Sequence, residues 1–313
     1  MSSTHAPPRL VVVLSEMWTM TDARDLRALV RMAQEAEDAG ADAVMLSEHV
    51  VLGPAAGEHG LMANPREYAL PGNQDPAMPW PSSLILLAAM AAVTTRLRLA
   101  ASAVIVPLRH PLLLAKQLAT LDLLSEGRLV VQPTVSWHRQ EYDALGVPFA
   151  SRGRLLDEQL EIWRALWAPS PASWHGRAYH FDDVYLEPKP HRPEGPRLWF
   201  GGESLHPRLL ARLVRHGHGF NPLGAPTDAD LAALGEAMRA AGRSPAELEM
   251  VGGTRGTFPG PDAVADFEGA FDVVPAQLAR GFTSICFKPS QFSDDPRDLG
   301  PLVRRAVTRL AAL

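Results

Sequence analysis

The chain is short of cysteine, of long apolar runs and of any excess of one charge, and each shortage closes off a class of protein. A single cysteine, Cys286, rules out an internal disulfide and suits a reducing compartment; it reads as a small buried hydrophobe. The longest apolar run, Leu84 to Val93, falls far below the roughly 20 residues that a membrane-spanning helix needs. The opening MSSTHAPPRL has no positive region followed by an apolar one, so no secretory signal is expected and the predicted location is the cytoplasm. A formal net charge of -5, with Lys and Arg scattered among Asp and Glu, leaves no basic face for nucleic acid. HExxH, CxxC, GxSxG and a Walker loop are also missing, so hydrolytic-nucleophile and zinc readings fall. The 11 histidines do not add up to a metal site. His216-Gly217-His218 has no carboxylate at ligand spacing, and His216 is expected at a helix C-terminus, where a cation is favoured.

What is present points to one large domain. Of 313 residues, 46% are apolar and 21% charged, enough for a sizeable core. The length exceeds the roughly 250 residues of a typical (β/α)₈ barrel but suits one with loop insertions. Short β-branched runs alternate with stretches of helical period, the signature of βαβ units on a parallel sheet. Eight such runs are found: Arg9 to Ser15, Ala43 to Ser47, Leu97 to Val104, Arg128 to Thr134, Arg197 to Gly201, a short one near Gly219, Leu248 to Gly253, and Thr283 to Lys288. The first helix is expected over Ala23 to Ala39, with Leu26, Leu29, Val30, Ala33 and Ala36 on one stripe and Gly40 just past its end. Further helices are expected over Pro111 to Leu124, Leu155 to Trp167 and Leu299 to Leu310. Eight strands each followed by a helix predict a single closed (β/α)₈ TIM barrel over residues 1–313, rather than an open sheet. Two connections are long enough to be insertions. Val50 to Pro81 follows the second strand at the catalytic mouth and is the better lid, while Ala168 to Pro196 follows the fourth-strand helix and reads as a proline-stiffened cover.

In a barrel the functional residues sit where strands end, so the exits can be read in turn. The first strand exits at Ser15 and Glu16, the second at Ser47, Glu48 and His49, an acid beside an imidazole. The third exits through Ala103, Val104, Ile105, Val106 and Pro107, which offer only shape. The fifth ends in Phe200, Gly201, Gly202, Glu203 and Ser204 with a helix immediately after, an arrangement suited to a phosphate.

Taken together, these exits resemble the luciferase-like superfamily, and especially its branch that uses the deazaflavin coenzyme F420. The stretches that carry the resemblance are AGADAVMLSEHV, TTRLRLAASAVIVPLRHPLLLAKQLATLDLLSEGRL, EYDALGVPFASRGRLLDEQLEIWRALW, EPKP and PRLWFGGES, nearly the whole chain. The resemblance implies a non-prolyl cis peptide between Ala103 and Val104 behind the cofactor ring. It also implies cofactor contacts from Thr134 and Ser136, phosphate contacts from Gly201, Gly202, Glu203 and Ser204, and catalytic roles for Glu48 and His49. One departure is the run Gln132-Pro133-Thr134-Val135-Ser136, where the family often has a glycine-rich segment.

The function that the resemblance implies is hydride transfer between coenzyme F420 and a small organic substrate, with Glu48 on the ring's polar edge and His49 moving the accompanying proton. The alternative on the same scaffold is a two-component monooxygenase using reduced FMN and oxygen, which would need a flavin reductase as partner. A catalytically silent flavin-binding barrel is a third reading. Trp18, Trp80 and Trp137 are candidate walls for an apolar substrate. The helix SSLILLAAMAAVTT is apolar nearly all round, which predicts a homodimer through the second and third helices.

Overall fold

Eight parallel strands close into a barrel in the computed structural model, which describes residues 7–313. The expectation about a secretory signal, insofar as it rests on MSSTHA, lies outside the described residues. In chain order the strands are β1 (Arg9–Val13), β2 (Ala43–Leu46), β3 (Arg98–Ile105), β4 (Leu129–Thr134), β5 (Ala172–His175), β6 (His180–Val184), β7 (Arg197–Phe200), β8 (Gly219–Phe220), β9 (Glu249–Gly253) and β10 (Ser284–Phe287). The barrel runs β1-β10-β9-β8-β7-β4-β3-β2, so its eight members are the eight runs read from the sequence. The helices are α1 (Leu26–Asp38), α2 (Ser83–Ala91), α3 (Pro111–Leu124), α4 (Arg139–Ala144), α5 (Arg152–Trp167), α6 (Pro207–His216), α7 (Asp228–Ala240), α8 (Phe267–Ala270), α9 (Val274–Ala279) and α10 (Leu299–Ala311). Among the described residues no helix is long and apolar enough to cross a membrane, and no group of three or more His, Cys, Asp or Glu is placed to hold a metal ion.

Local rules place these elements. Asp25 caps α1 by accepting from the Ala28 N–H, and Gly40 takes φ 95° where the helix ends, a conformation that costs glycine little. Leu29, Met32, Ala33 and Ala36 form its buried stripe, whereas Leu26 lies at the exposed edge. The serine, glycine, arginine turn before β4 works through Arg128, whose guanidinium reaches the carbonyls of Ala91, Thr94 and Leu97 and so ties the end of α2 to β3.

The second long connection departs from expectation, because it contains the antiparallel hairpin β5–β6 rather than an irregular cover. Its strands are short and largely solvent-facing, with Asp182 and Asp183 inside β6, so no apolar run announced them. His216 does close α6, where burial lowers its pKa and Glu161, at 3.2 Å, opposes that shift.

Alternation of side chains along each strand divides the core in two. Val11, Val13, Ala43, Met45, Ala100, Val130, Trp199 and Val251 fill the inside, and Cys286, half-buried, packs against them with its thiol pushed up to about 12 by burial. The residues between them, such as Val12, Val44, Leu99 and Val131, face the helices. The floor of the barrel is polar. Arg98 makes two hydrogen bonds to Glu249, at 2.7 and 2.8 Å, and Ser284 adds a third at 2.5 Å. Burial opposes the Glu249 charge, but Arg98, Ser284 and Arg9 outweigh it and hold the carboxyl below its usual range. Such a group binds its proton more readily unfolded than folded, so its stabilisation is present above pH 4.5 and lost as pH falls. Glu249→Gln is expected to cost about 3 kcal/mol by leaving Arg98 without its partner, and to flatten the acid side of the stability curve. Urea unfolding of both proteins from about pH 6 to pH 3 checks this; parallel curves would contradict it.

Candidate active site at the barrel mouth

At the end of β2 the period of two sends neighbouring side chains to opposite faces, and the chain does not bend to reunite them. Glu48 turns outward, under the helices. Its carboxylate accepts from the Ile105 N–H at 2.9 Å, from both Arg109 Nη atoms at 2.7 and 3.0 Å, and from Ser83 Oγ at 3.0 Å. Four bonds fill the lone-pair sites of a carboxylate. The expectation that Glu48 meets a cofactor ring is therefore corrected: it positions the site by locking the ends of β2 and β3 to the first turn of α2.

His49 turns to the mouth. Its Nδ1 lies 3.4 Å from Oε2 of Glu141, a fully buried acid on α4 that sequence reading missed. Glu141 is fixed in turn by the Val50 N–H at 2.5 Å and by Ser136 Oγ at 3.3 Å. The imidazole meets Trp80 and Trp137 edge-on, with ring centroids 5.1 and 5.9 Å away. Two of the three predicted walls thus meet the ring of the predicted catalytic histidine. His138 Nε2 accepts from the Gly53 N–H at 2.8 Å, which ties the start of the lid candidate to α4, and burial lowers the pKa of the ring. Trp18 and Trp80 line, with Glu16 and Ser47, a cavity of about 10 Å³ between the β1 and β2 exits and the surrounding helices. Only about one water fits there.

The β3–β4 side differs from expectation by one residue. The non-prolyl cis peptide joins Ser102 and Ala103, not Ala103 and Val104. Ser102 pairs with Gln132 and Val104 with Pro133, so Ala103 is the extra residue of a bulge. Ala103 is half-buried at the mouth, whereas Val104 is fully buried against the helices and is withdrawn as a cofactor contact. The run Ala-Ala-Ser-Ala has no feature that marks which bond turns. Thr134 continues the inner face of Gln132, and Ser136 takes φ 57° where the chain turns towards α4. Ser102, Gln132 and Asn221 form a hydrogen-bonded cluster at the exits of β3, β4 and β8, with contacts of 2.7, 2.8 and 3.2 Å.

At β7, a Cβ on Gly201 would stand 1.8 Å from the Asn221 carbonyl oxygen, so this glycine is required by backbone approach to the next strand. Gly202 has ordinary space around it. The following helix starts later than expected, at Pro207, with His206 capping the Leu209 N–H, and Glu203 and Ser204 are exposed on the loop between.

Across the mouth stand Glu16 and Lys288, at the ends of β1 and β10. Ser284, Cys286 and Lys288 share the inner face of β10, and Lys288 is fully buried. Its Nζ donates to the Glu67 carbonyl at 2.9 Å and lies 3.9 Å from Glu16 Oε2. Burial lowers the Lys288 pKa, with Glu16 opposing, and raises that of Glu16, with Lys288 opposing. The first long loop reaches this far. Asn64 donates to the Gly260 and Ala263 carbonyls at 2.9 and 2.8 Å, and Arg66 pairs with Asp294, so the segment crosses from β2 to the loops after β9 and β10. That path carries the lid candidate over the mouth.

Residues 9–262 match the luciferase-like monooxygenase family. The chain belongs to that family. An uncharacterised protein of Mycobacterium tuberculosis is 43% identical over 121 residues, which span 38% of this chain and only 41% of that protein. The FMNH₂-dependent dimethylsulfone monooxygenase of Pseudomonas putida is 33% identical over 135 residues, 42% of this chain and 37% of its own. Among solved structures, the oxygenating constituent of 3,6-diketocamphane monooxygenase of Pseudomonas putida, in complex with FMN, superposes with a TM-score of 0.72 at 15% identity, covering 98% of each chain, a likeness of fold.

In this luciferase-like barrel Glu48→Ala is expected to lower stability by about 3 kcal/mol, because Arg109, Ser83 and the Ile105 N–H lose their shared acceptor. Urea unfolding measures it; a change below about 0.5 kcal/mol would return Glu48 to the list of free mouth residues.

Proposed function

We propose that this protein is the oxygenating component of a two-component flavin monooxygenase, which takes reduced FMN from a flavin reductase and oxidises a small organic substrate with dioxygen. The observation that carries this reading is His49, held by buried Glu141 and walled by Trp80 and Trp137 beneath a lid. The initial preference for coenzyme F420 gives way. Within the stretch AGADAVMLSEHV, one of those that carry the resemblance, Glu48 is spent on Arg109, Ser83 and the Ile105 amide. The relative named for its cofactor, the dimethylsulfone monooxygenase, uses FMNH₂.

The residues of the mouth fit a flavin. Ser102, Gln132 and Asn221 offer polar groups near the bulge at Ala103, and Gly202 to Ser204 offer backbone N–H groups for a phosphate. When bound, FMN supplies the electrons and the reaction with dioxygen. The protein's own part is to exclude water and to handle protons. The lid, pinned through Asn64 and Arg66, shuts solvent out. Glu141 accepts at Nδ1 of His49, which fixes the ring and leaves Nε2 to take or give a proton.

We further propose a homodimer, since Ile85 on α2 and Leu113 on α3 are 73% and 67% exposed on the face expected to pair. Sedimentation equilibrium at micromolar concentration should give a dimer that Ile85→Glu splits; a wild-type monomer would contradict it. For the reaction, His49→Asn should still bind reduced FMN but lower substrate-dependent oxygen uptake by at least about a hundredfold. Turnover close to wild type in the folded variant would remove His49 from the chemistry.

A further inference from the structure

The pair beside His49, at the ends of β1 and β10 next round the barrel from β2, has unspent hydrogen-bonding capacity. Lys288 is fully buried and its ammonium carries three N–H donors, yet among the described residues the only acceptor within hydrogen-bond distance is the Glu67 carbonyl. Glu16 Oε2, at 3.9 Å, is near enough to balance the charge and too far to accept a hydrogen bond. Among the described residues Glu16 Oε1 is buried without a hydrogen-bond partner, the Ala69 N–H being the one backbone donor close enough to lower the pKa of the carboxyl. The residue also holds φ 55°, a conformation that non-glycine residues seldom take and that turns the chain as β1 ends. Tyr68 of the lid closes over Lys288, its ring centroid 5.2 Å from Nζ. A buried polar group left unsatisfied is costly, and a water, an ion or a ligand can complete it.

We propose that Glu16 and Lys288 are the substrate-anchoring edge of the site: Lys288 donates to a carbonyl oxygen, and Glu16 accepts from a neighbouring N–H or O–H of an uncharged substrate. The charges cancel within the pair, so an anion meets Glu16 and a cation meets Lys288, and both are disfavoured. A neutral group with an acceptor beside a donor, such as a primary amide, a urea, an imide or a hydroxy-ketone, satisfies both at once. The inference rests on the mouth being the substrate site and is independent of which flavin serves it.

Three compounds of one shape separate the possibilities: cyclohexanecarboxamide, its N,N-dimethyl amide, and cyclohexanecarboxylate. Binding to the full chain is followed by ligand-observed NMR, with reduced-FMN affinity measured on the same samples. The wild type should favour the primary amide over each of the others by about tenfold. Lys288→Met should erase that preference. Glu16→Gln, which leaves Lys288 as an uncompensated cation, should reverse it in favour of the carboxylate. A pair that merely latches the lid could weaken all three probes but would not reverse their order. Equal binding of amide and carboxylate by the wild type, an unchanged order in Glu16→Gln, or no saturable binding of the amide at about 10 mM would each overturn the proposal. Loss of FMN binding with the amide preference intact would instead sink the flavin assignment and leave the anchor standing.

Discussion

Every strand of a closed parallel barrel spends alternate side chains on two jobs, filling the inside and holding the helices, and most of this protein follows from that constraint. Along β2 it gives Ala43 and Met45 to the interior and Val44 and Leu46 to the helix layer. Carried two residues further, it gives Glu48 to the helix layer and His49 to the mouth. The outward residue is the anchor. With its carboxylate filled by Arg109, Ser83 and the Ile105 amide, the ends of β2 and β3 cannot drift apart, and His49 has a fixed base from which to meet Glu141.

The same period shapes the rest of the mouth. It puts Lys288 above Cys286 and Ser284 on β10, and Gln132 above Val130 on β4. Polar and small side chains therefore replace the apolar packing of the barrel's middle as each strand approaches its exit, while the floor is closed by Arg98 and Glu249. A lid pinned at its far side by Asn64 and Arg66 converts that polar depression into a compartment from which water can be kept.

The barrel was legible in the sequence because its signals are local: eight β-branched runs, helical stripes, and turns marked by glycine and proline. The hairpin in the second long connection was not, since its strands are short and carry charge. Within the site, His49 and Trp80 could be read from their place at an exit and in the lid. Glu141 could not, as it reaches His49 from 92 residues away, and nothing in EYDALG marks the acid as buried. Lys288 escaped for the same reason, the carbonyl that accepts its hydrogen bond, that of Glu67, lying 221 residues off. The divergence of Glu48 and His49 was different in kind. Their adjacency on an extended strand already implies opposite faces, so the two could share one pocket only if the strand end bent.

The cofactor decides between the readings that this scaffold allows. Calorimetric titration of the purified chain under anaerobic conditions, with reduced FMN and separately with reduced coenzyme F420, tests it most directly. Saturable binding of reduced FMN that reduced F420 does not displace is the expected result. Binding of F420 in preference to FMN would contradict it.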